Sequence, residues 1–520
     1  MSPTIKIYRS GELISQAAGN MGSSLLECIT AVGIFIDAPC GGVGKCGKCL
    51  VRLSPQGEEI LACKTYVQGD TDIYLPDEPE MTVAGHHDIN TEAKAPTDKK
   101  LSSSKTKKLG VAIDIGTTSV VAHLIDIPTG TRIATASGVN AQRPYGADVI
   151  SRIQYCTENG HMRLTALVRE QIESLIKHAC TISGERARDI GYIAIAANTI
   201  MQHIAAGLSP VGMGVAPFEP ISLFGDEHPA WDNLTVSRNC IIYYTPAISS
   251  YVGGDITAGM LAAGLDDTGG PSIYLDIGTN GEIAMKLGDT YYCCATAAGP
   301  AFEGAEITKG MAAVTGAINH VHWENGLKLS VIGDKKPIGL CGSGLLDALA
   351  ILLDYGAVDE TGRLVDPDEV DNDISSYIGK VDGHNVFWLS EDKTPETGVY
   401  MSAGDIRKLQ LAKAAIAAGI ATLLHHASIT EDKVESFILA GGFGSFMDHI
   451  SAAKIGLFPK SFLSKTKTLG NTAGEGAVLA LCSESARQTL TDIRRRCEYI
   501  ELSTSKEFNE QFIEHILFPS

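Results

Sequence analysis

Nine residues, DIGTTSVVA at 114–122, return as DIGTNGEIA at 276–284, 162 positions later, with five of nine identical. Each copy follows a β-rich run, GVAI before the first and SIYL before the second, and each leads into another strand. A strand–turn–strand unit recurring at that distance predicts two related lobes. From Leu109 onward, glycine-punctuated apolar strands alternate with amphipathic patterns, and helices are expected over 147–156, 164–182 and 403–427. At 520 residues the chain is too long for one core.

The turn itself has a chemistry. In D-x-G-T after a strand, glycine lets backbone N–H groups approach anionic oxygens, and the threonine hydroxyls add donors. Gly116, Thr117 and Thr118 in the first copy, and Gly278, Thr279, Asn280 and Gly281 in the second, are candidate phosphate-binding residues. An aspartate beside phosphate would be repelled, so Asp114 and Asp276 are expected to position Mg²⁺ and water. A third glycine cluster, FILAGGFGS at 437–445, is an apolar strand entering a turn. Gly441, Gly442 and Gly444 there, and Gly474 in GNTAGEG at 470–476, would let backbone pack against adenosine. Glu303 and Asp255 lie beside glycine turns and are further candidates for orienting water or Mg²⁺. His203 and the Cys293–Cys294 pair read as core residues, and Arg494–Arg496 as a solvated helix face. Glycine is in excess, 55 of 520 residues against roughly 7% in average chains.

The first 84 residues form a separate unit. Strands are expected at 5–8, 11–14, 51–53 and 72–75, with a short helix over 23–32. Within it, Cys40, Cys46, Cys49 and Cys63 have the spacing C-x5-C-x2-C-x13-C. Thiolates at this density select zinc or iron–sulfur. Zinc ribbons pair two C-x2-C units and only one is present, so a [2Fe–2S] site of plant or adrenodoxin type is favoured over a zinc knuckle. The interleaved Gly41, Gly42, Gly44 and Gly47 suit a loop whose N–H groups turn toward sulfur. Cys28 is expected in the core.

Residues 85–109 carry six lysines and almost no large apolar side chain, which predicts a flexible linker starting at His86–His87. The expected division is 1–84 cluster domain, 85–109 linker, 110–265 first lobe, 266–482 second lobe with the adenosine site, and 483–520 a helical tail. A net charge of −19 repels nucleic acid, and 6% aromatics offers little for base stacking. No apolar run approaches a membrane span or a signal-peptide core, so a cytoplasmic protein is expected.

The order of phosphate turn, second phosphate turn and adenosine glycines resembles the acetate and sugar kinase, Hsp70 and actin superfamily (ASKHA), and the cysteine region resembles a ferredoxin. The resemblance implies an α/β multidomain fold: an N-terminal β-grasp domain, a linker, and two ribonuclease-H-like lobes around an ATP cleft. The combination resembles the RACo-type reductive activators of corrinoid proteins. AANTIMQH, YVGGD, DIGTNGE, AGPAFEG and LAGGFG match blocks of that family. The family often has an extra domain where this chain offers only residues 85–109. The resemblance implies ATP, Mg²⁺ and a [2Fe–2S] cluster as cofactors, and reduction of Co(II) to Co(I) in a corrinoid protein of a methyltransferase system. It also implies an upstream electron donor and a homodimer. Two alternatives stand beside it: an electron-donating activator of another metalloenzyme, and a non-redox cobalamin-enzyme reactivating chaperone or small-molecule kinase.

Overall fold

The computed structural model describes residues 2–32, 34, 36, 38, 42, 44, 49–76, 97, 109–370 and 373–519. Cys40, Cys46, His86, His87 and nearly all of the expected linker lie outside these residues.

The N-terminal unit is built on a three-stranded sheet. Thr4–Arg9 is central, antiparallel to Glu12–Ala18 and parallel to Thr71–Leu75. Ile5, Ile7 and Ile73 face one side and are fully buried against helix Leu25–Ala31, which presents Leu25, Leu26 and Ile29. Ser24 caps that helix: its hydroxyl accepts from the Glu27 amide while the Glu27 carboxylate accepts from the Ser24 amide. A hairpin, a parallel return strand and one crossing helix make the β-grasp architecture. Cys28 is buried in the core, as expected. The unit meets the rest of the chain where the Tyr145 hydroxyl donates to the Thr30 carbonyl at 3.4 Å.

The repeat becomes two sheets of one topology. In the first, Leu109–Ile115, Ser119–Asp126 and Thr131–Val139 form an antiparallel meander, and Ile190–Ala197 and Ile241–Tyr244 extend it in parallel beyond Leu109–Ile115. In the second, Ser272–Ile277, Gly281–Leu287 and Thr290–Thr296 form the meander, and Ser436–Ala440 and Thr466–Thr468 are the parallel strands. The central strands are nearly continuous apolar runs because helices cover both faces. Helices Val149–Asn159, Met162–Ser183 and Ala403–His426 occupy the predicted places.

Chain order and packing part company at the lobe boundary. Helix Gly254–Ala262 packs its Ile256 and Met260 with Tyr274, Ala284 and Ile438 of the second sheet. Helix Thr472–Cys482 returns to the first sheet, burying Ala477 and Leu481 with Ala112, Tyr192 and Ala194. The two helices cross so closely that a Cβ on Gly476 would overlap the Ala258 carbonyl. Helix Gly254–Ala262 thus lies between the sheets, since its Ala258 also packs with Ala112, Tyr192 and Ala194 of the first.

The C-terminal segment is more than a helical tail. Helix Glu484–Arg496 leads into strand Cys497–Tyr499, which adds in parallel to the edge of the second sheet beside Thr290–Thr296. The arginine run is not simply solvated. Arg494 donates to the Phe224 carbonyl at 3.1 Å, and Arg496 pairs with Asp266 at 2.7 Å over the Tyr291 ring.

Candidate functional site

The two turns sit at matching positions, at the ends of the two central strands. Gly116 closes the first by donating its N–H to the Ser119 carbonyl at 2.9 Å, and Gly278 closes the second by donating to the Asn280 carbonyl at 2.9 Å. The amides of both glycines are used within the turns, leaving Thr117, Thr118, Thr279 and Asn280 at the tips. Gly281 has a different role from the one expected. It begins a strand, and its missing Cβ makes room for Thr296 and Ile416.

Glu303 bridges the two turns. Its carboxylate accepts from the Thr118 hydroxyl at 3.0 Å and from the Thr279 hydroxyl at 2.8 Å. It follows Ala297-Ala-Gly-Pro-Ala-Phe in a short 3-10 turn, Pro300–Glu303, whose glycine flanks have positive φ. One acidic residue therefore holds threonines of both repeat turns, one from each lobe, at once.

Below the turns lies a cluster of carboxylates. Asp114 accepts from the Asn471 side-chain amide at 2.8 Å, and Asp276 accepts from the Tyr274 hydroxyl at 3.2 Å. Tyr274 also meets the Thr472 hydroxyl at 2.7 Å. Asp255 stands in the first turn of helix Gly254–Ala262. Loss of water pushes the Asp114 carboxyl up to about 7, with Asn471 opposing and Asp276 adding repulsion. Burial likewise lifts Asp255 to about 8, helped by the charges of Asp276 and Asp114. Asp276 rises to about 6 through burial, moderated by Tyr274. Glu282 is raised well above its ordinary range by burial and by Asp255 and Asp276. Burial, with repulsion among neighbouring carboxyls, disfavours their charged forms, and among the described residues no three His, Cys, Asp or Glu side chains are grouped so that they could hold a metal ion directly.

The helix-opening glycines have mixed roles. Gly441, at φ +83°, follows strand Ser436–Ala440, and a Cβ there would press on Asp276 and lie 2.8 Å from the Ile277 carbonyl. It is the contact that lets this strand end beside the second phosphate turn. Gly441–Gly444 form a short helical turn, and Phe443 stacks on Phe302 at 5.0 Å. Gly474 donates its amide to the Asn471 side chain at 2.8 Å, so the residue that caps this helix also reaches Asp114. Asn471 and Glu282 were not expected at the site from sequence, although both lie inside motifs that stand out there. His203 is a core residue as expected: Nδ1 donates to the Thr199 carbonyl at 2.7 Å, and Nε2 accepts from the Ile221 and Ser222 amides.

In the N-terminal unit, Cys49 and Cys63 are both buried. Pairing of Leu50–Val51 with Ile60–Leu61, together with the Ala62 amide donating to the Cys49 carbonyl at 2.8 Å, brings their backbones side by side. Gly42 and Gly44 have φ of +90° and +80°. A Cβ on Gly42 would press on Leu26 at 3.2 Å and lie 4.0 Å from Cys63 Cβ, so Gly42 sits beside the second cysteine. Two buried cysteines on adjoining backbone, with the left-handed Gly42 beside one of them, fit a sulfur-ligated cluster.

Comparison with known proteins covers the same ground. Residues 270–520 match the family described as the C-terminal domain of RACo, the ASKHA domain, and residues 109–268 match the RACo middle region. The middle region of that family thus coincides with the segment expected as the first lobe. The corrinoid activation enzyme RamQ of Eubacterium limosum is 31% identical across 95% of this chain and 96% of its own length. The [Co(II) methylated amine-specific corrinoid protein] reductase of Methanosarcina barkeri is 24% identical across 78% of this chain and 76% of its own. A solved reductive activator for a corrinoid, iron–sulfur protein superposes with a TM-score of 0.72 at 29% identity, covering 99% of this chain and 98% of that one. The N-terminal unit is 35% identical over 75 aligned positions to a component of the Na⁺-translocating NADH-quinone reductase of Haemophilus influenzae, 11% of this chain and 18% of that protein.

Proposed function

The chain belongs to the RACo family of corrinoid-protein activators, and from that premise we propose how its parts divide the work of ATP-dependent reduction of Co(II) corrinoid to Co(I). The observation that carries this reading is the end-to-end match to corrinoid activators in a chain that joins a cysteine-loop β-grasp unit to a duplicated phosphate-turn cleft.

The reaction adds one electron to Co(II) to give Co(I). A difference of 100 mV on one electron corresponds to about 2.3 kcal/mol, well within reach of ATP-driven chemistry. Cys40, Cys46, Cys49 and Cys63 would hold a [2Fe–2S] cluster, which supplies one low-potential electron when bound. Thr117, Thr118, Thr279 and Asn280 cradle phosphates, and Gly441, Gly442 and Gly444 with Gly474 border the adenosine side. Asp114 and Asp276 would position Mg²⁺ through its waters and not as part of a direct ligand set. Glu303 acts as a latch between the lobes: phosphate oxygens arriving at the tips compete for the Thr118 and Thr279 hydroxyls that it now holds. Nucleotide binding thereby shifts the balance between cleft conformations, and the closed form favours a corrinoid geometry that is easier to reduce. The partner is a corrinoid protein, here assigned to a methyltransferase system. An upstream donor recharges the N-terminal unit, the setting is the cytoplasm, and the activator works as a homodimer. Among the described residues no helix is long and apolar enough to cross a membrane.

The test is anaerobic incubation of a Co(II) corrinoid protein with the reduced activator, with and without ATP, following loss of the Co(II) EPR signal. Loss that requires ATP supports the reading, and persistence of the signal with every corrinoid partner ends it. EPR of the reduced protein separates the alternative activators, because a [4Fe–4S] cluster shared by two chains also gives two irons per chain: a [2Fe–2S] signal that persists in the separated monomer fits this assignment, and a [4Fe–4S] signal lost on dissociation does not.

A further inference from the structure

The first phosphate turn is held from behind by groups that no motif announced. The Gly116 carbonyl accepts from the Asn140 side-chain amide at 2.7 Å, and the Thr118 carbonyl accepts from the Asn140 backbone amide at 2.9 Å. Between them, the Thr117 carbonyl accepts from Nη2 of Arg152. In a trans peptide the C=O and the following N–H point in opposite directions. Three consecutive carbonyls drawn into the lobe therefore turn the Thr117 and Thr118 N–H groups outward.

Arg152 is an unusual choice for this task. Its side chain is fully buried, at 0% exposure. Its other donors go to the Gly146 carbonyl at 2.9 Å and the Gln142 side-chain oxygen at 3.3 Å, and Nη1 also touches the Met201 sulfur at 3.0 Å. Gln142 is anchored in turn, donating to the Leu164 carbonyl at 3.0 Å. Among the described residues no carboxylate lies within ion-pair distance of the guanidinium; Asp148 attracts it from farther off, and the like charge of Arg143 opposes that attraction. Removing a cation from water without a counter-ion is costly. A neutral side chain could serve a carbonyl more cheaply. The charge makes sense if an anion arrives on the other side of the turn. The second turn, Gly278–Asn280, has no buried arginine behind it among the described residues, so the device belongs to one copy of the repeat.

We infer that Arg152 is a positioning residue for ATP: it aims the Thr117 and Thr118 amides into the cleft, and its charge, which has no direct ion pair in the fold, completes the electrostatics of the site when phosphate is bound. This rests on the reading of the cleft as an ATP site. It deepens that reading by making the first turn the charge-selective one.

Titration calorimetry of the full-length holoprotein with Mg–ATP and with adenosine tests it. Wild type is expected to bind ATP more tightly than adenosine. Arg152→Met should reduce the ATP-to-adenosine affinity ratio tenfold or more while leaving adenosine binding within about threefold, since adenosine carries no charge for Arg152 to sense. Arg152→Lys keeps the charge, but its single nitrogen cannot serve Thr117, Gly146 and Gln142 together, so it should lose threefold or more of the same ratio. A wild-type ratio in either folded variant overturns the inference. If Arg152→Met does not fold, the Arg152→Lys ratio decides. A wild type that binds no ATP instead overturns the ATP-site reading, and the inference falls with it. A purely structural arginine would weaken both ligands equally.

Discussion

Gly441→Ala is the substitution whose cost can be worked most directly from the structure. The residue sits at φ +83°, where an L side chain costs about 1–2 kcal/mol. Its new Cβ would lie 2.8 Å from the Ile277 carbonyl and closer still to the Asp276 carboxylate, so one of them must move by several tenths of an ångström. Overpacking of this kind costs typically about 1–3 kcal/mol. Together these give about 2–5 kcal/mol, and at about 2–4 °C per kcal/mol for a domain of 150–250 residues the melting temperature should fall by about 4 °C or more. The strain falls on Asp276, so Mg²⁺-dependent ATPase should fall further than stability, by tenfold or more, since displacement of a catalytic group by about 1 Å can cost about 10²-fold. Gly278→Ala is the matched control, because a Cβ there meets nothing within 4 Å. It should melt like wild type yet bind ATP more weakly, the methyl occupying the space a phosphate approaches. Differential scanning fluorimetry and a steady-state ATPase assay read both. A Gly441→Ala protein with wild-type melting and ATPase would show that neither the left-handed backbone nor the Asp276 contact matters at this position.

Cys49→Ser should abolish the visible cluster absorbance and leave less than one iron per chain, and retained absorbance would contradict the ligand assignment. Asp114, Asp255 and Asp276 have folded pKa values above the unfolded value of about 3.9, so the stability they confer is complete at low pH and is lost as pH rises through about 6 to 8. Melting of the magnesium-free protein should therefore fall between about pH 5 and 8.5, and added Mg²⁺ should restore most at the alkaline end. A melting temperature that rises over that window would exclude this origin. Arg487 donates to the Tyr192 hydroxyl at 2.6 Å, to Glu227 at 2.9 Å and to the Ala480 carbonyl at 2.9 Å, pinning helix Glu484–Arg496 to the first lobe. Arg487→Ala should cost about 2 kcal/mol in urea unfolding, given about 1.5–3 kcal/mol for hydrogen bonds to charged groups, and an unchanged midpoint would show the tail to be independent.

The parts of the structure readable from sequence were those written as local pattern. The repeated DIGT turn announced two sheets because a strand, a glycine turn and another strand are adjacent in the chain. The Cys49 and Cys63 neighbourhood was readable for the same reason, with Gly42 and Gly44 supplying the left-handed backbone. What escaped notice depends on contacts across the fold. Helix Gly254–Ala262 is apolar nearly all round, so its pattern does not say which sheet it covers, and it packs against both. Glu303 looked like a water-orienting acid, but its partners Thr118 and Thr279 are 185 and 24 residues away. Arg494 and Arg496 read as solvated because their acceptors, Phe224 and Asp266, are 270 and 230 residues distant. Asn140 and Arg152 carry no motif at all, and only the direction of three carbonyls shows what they do. Glycine likewise proved to have several uses: Gly476 admits a helix crossing, Gly281 a side chain of the second lobe, and Gly441 a carboxylate.

If nucleotide in the two-turn cleft licenses electron delivery to cobalt, a single-turnover experiment will show it. Activator reduced beforehand is mixed anaerobically with a Co(II) corrinoid protein, with ATP, with no nucleotide, or with ATP and the Cys49→Ser variant, and the Co(I) absorbance is followed. Co(I) is expected only when ATP and the intact cysteine set are present together. Equal formation without ATP, or undiminished formation by Cys49→Ser, would contradict that coupling.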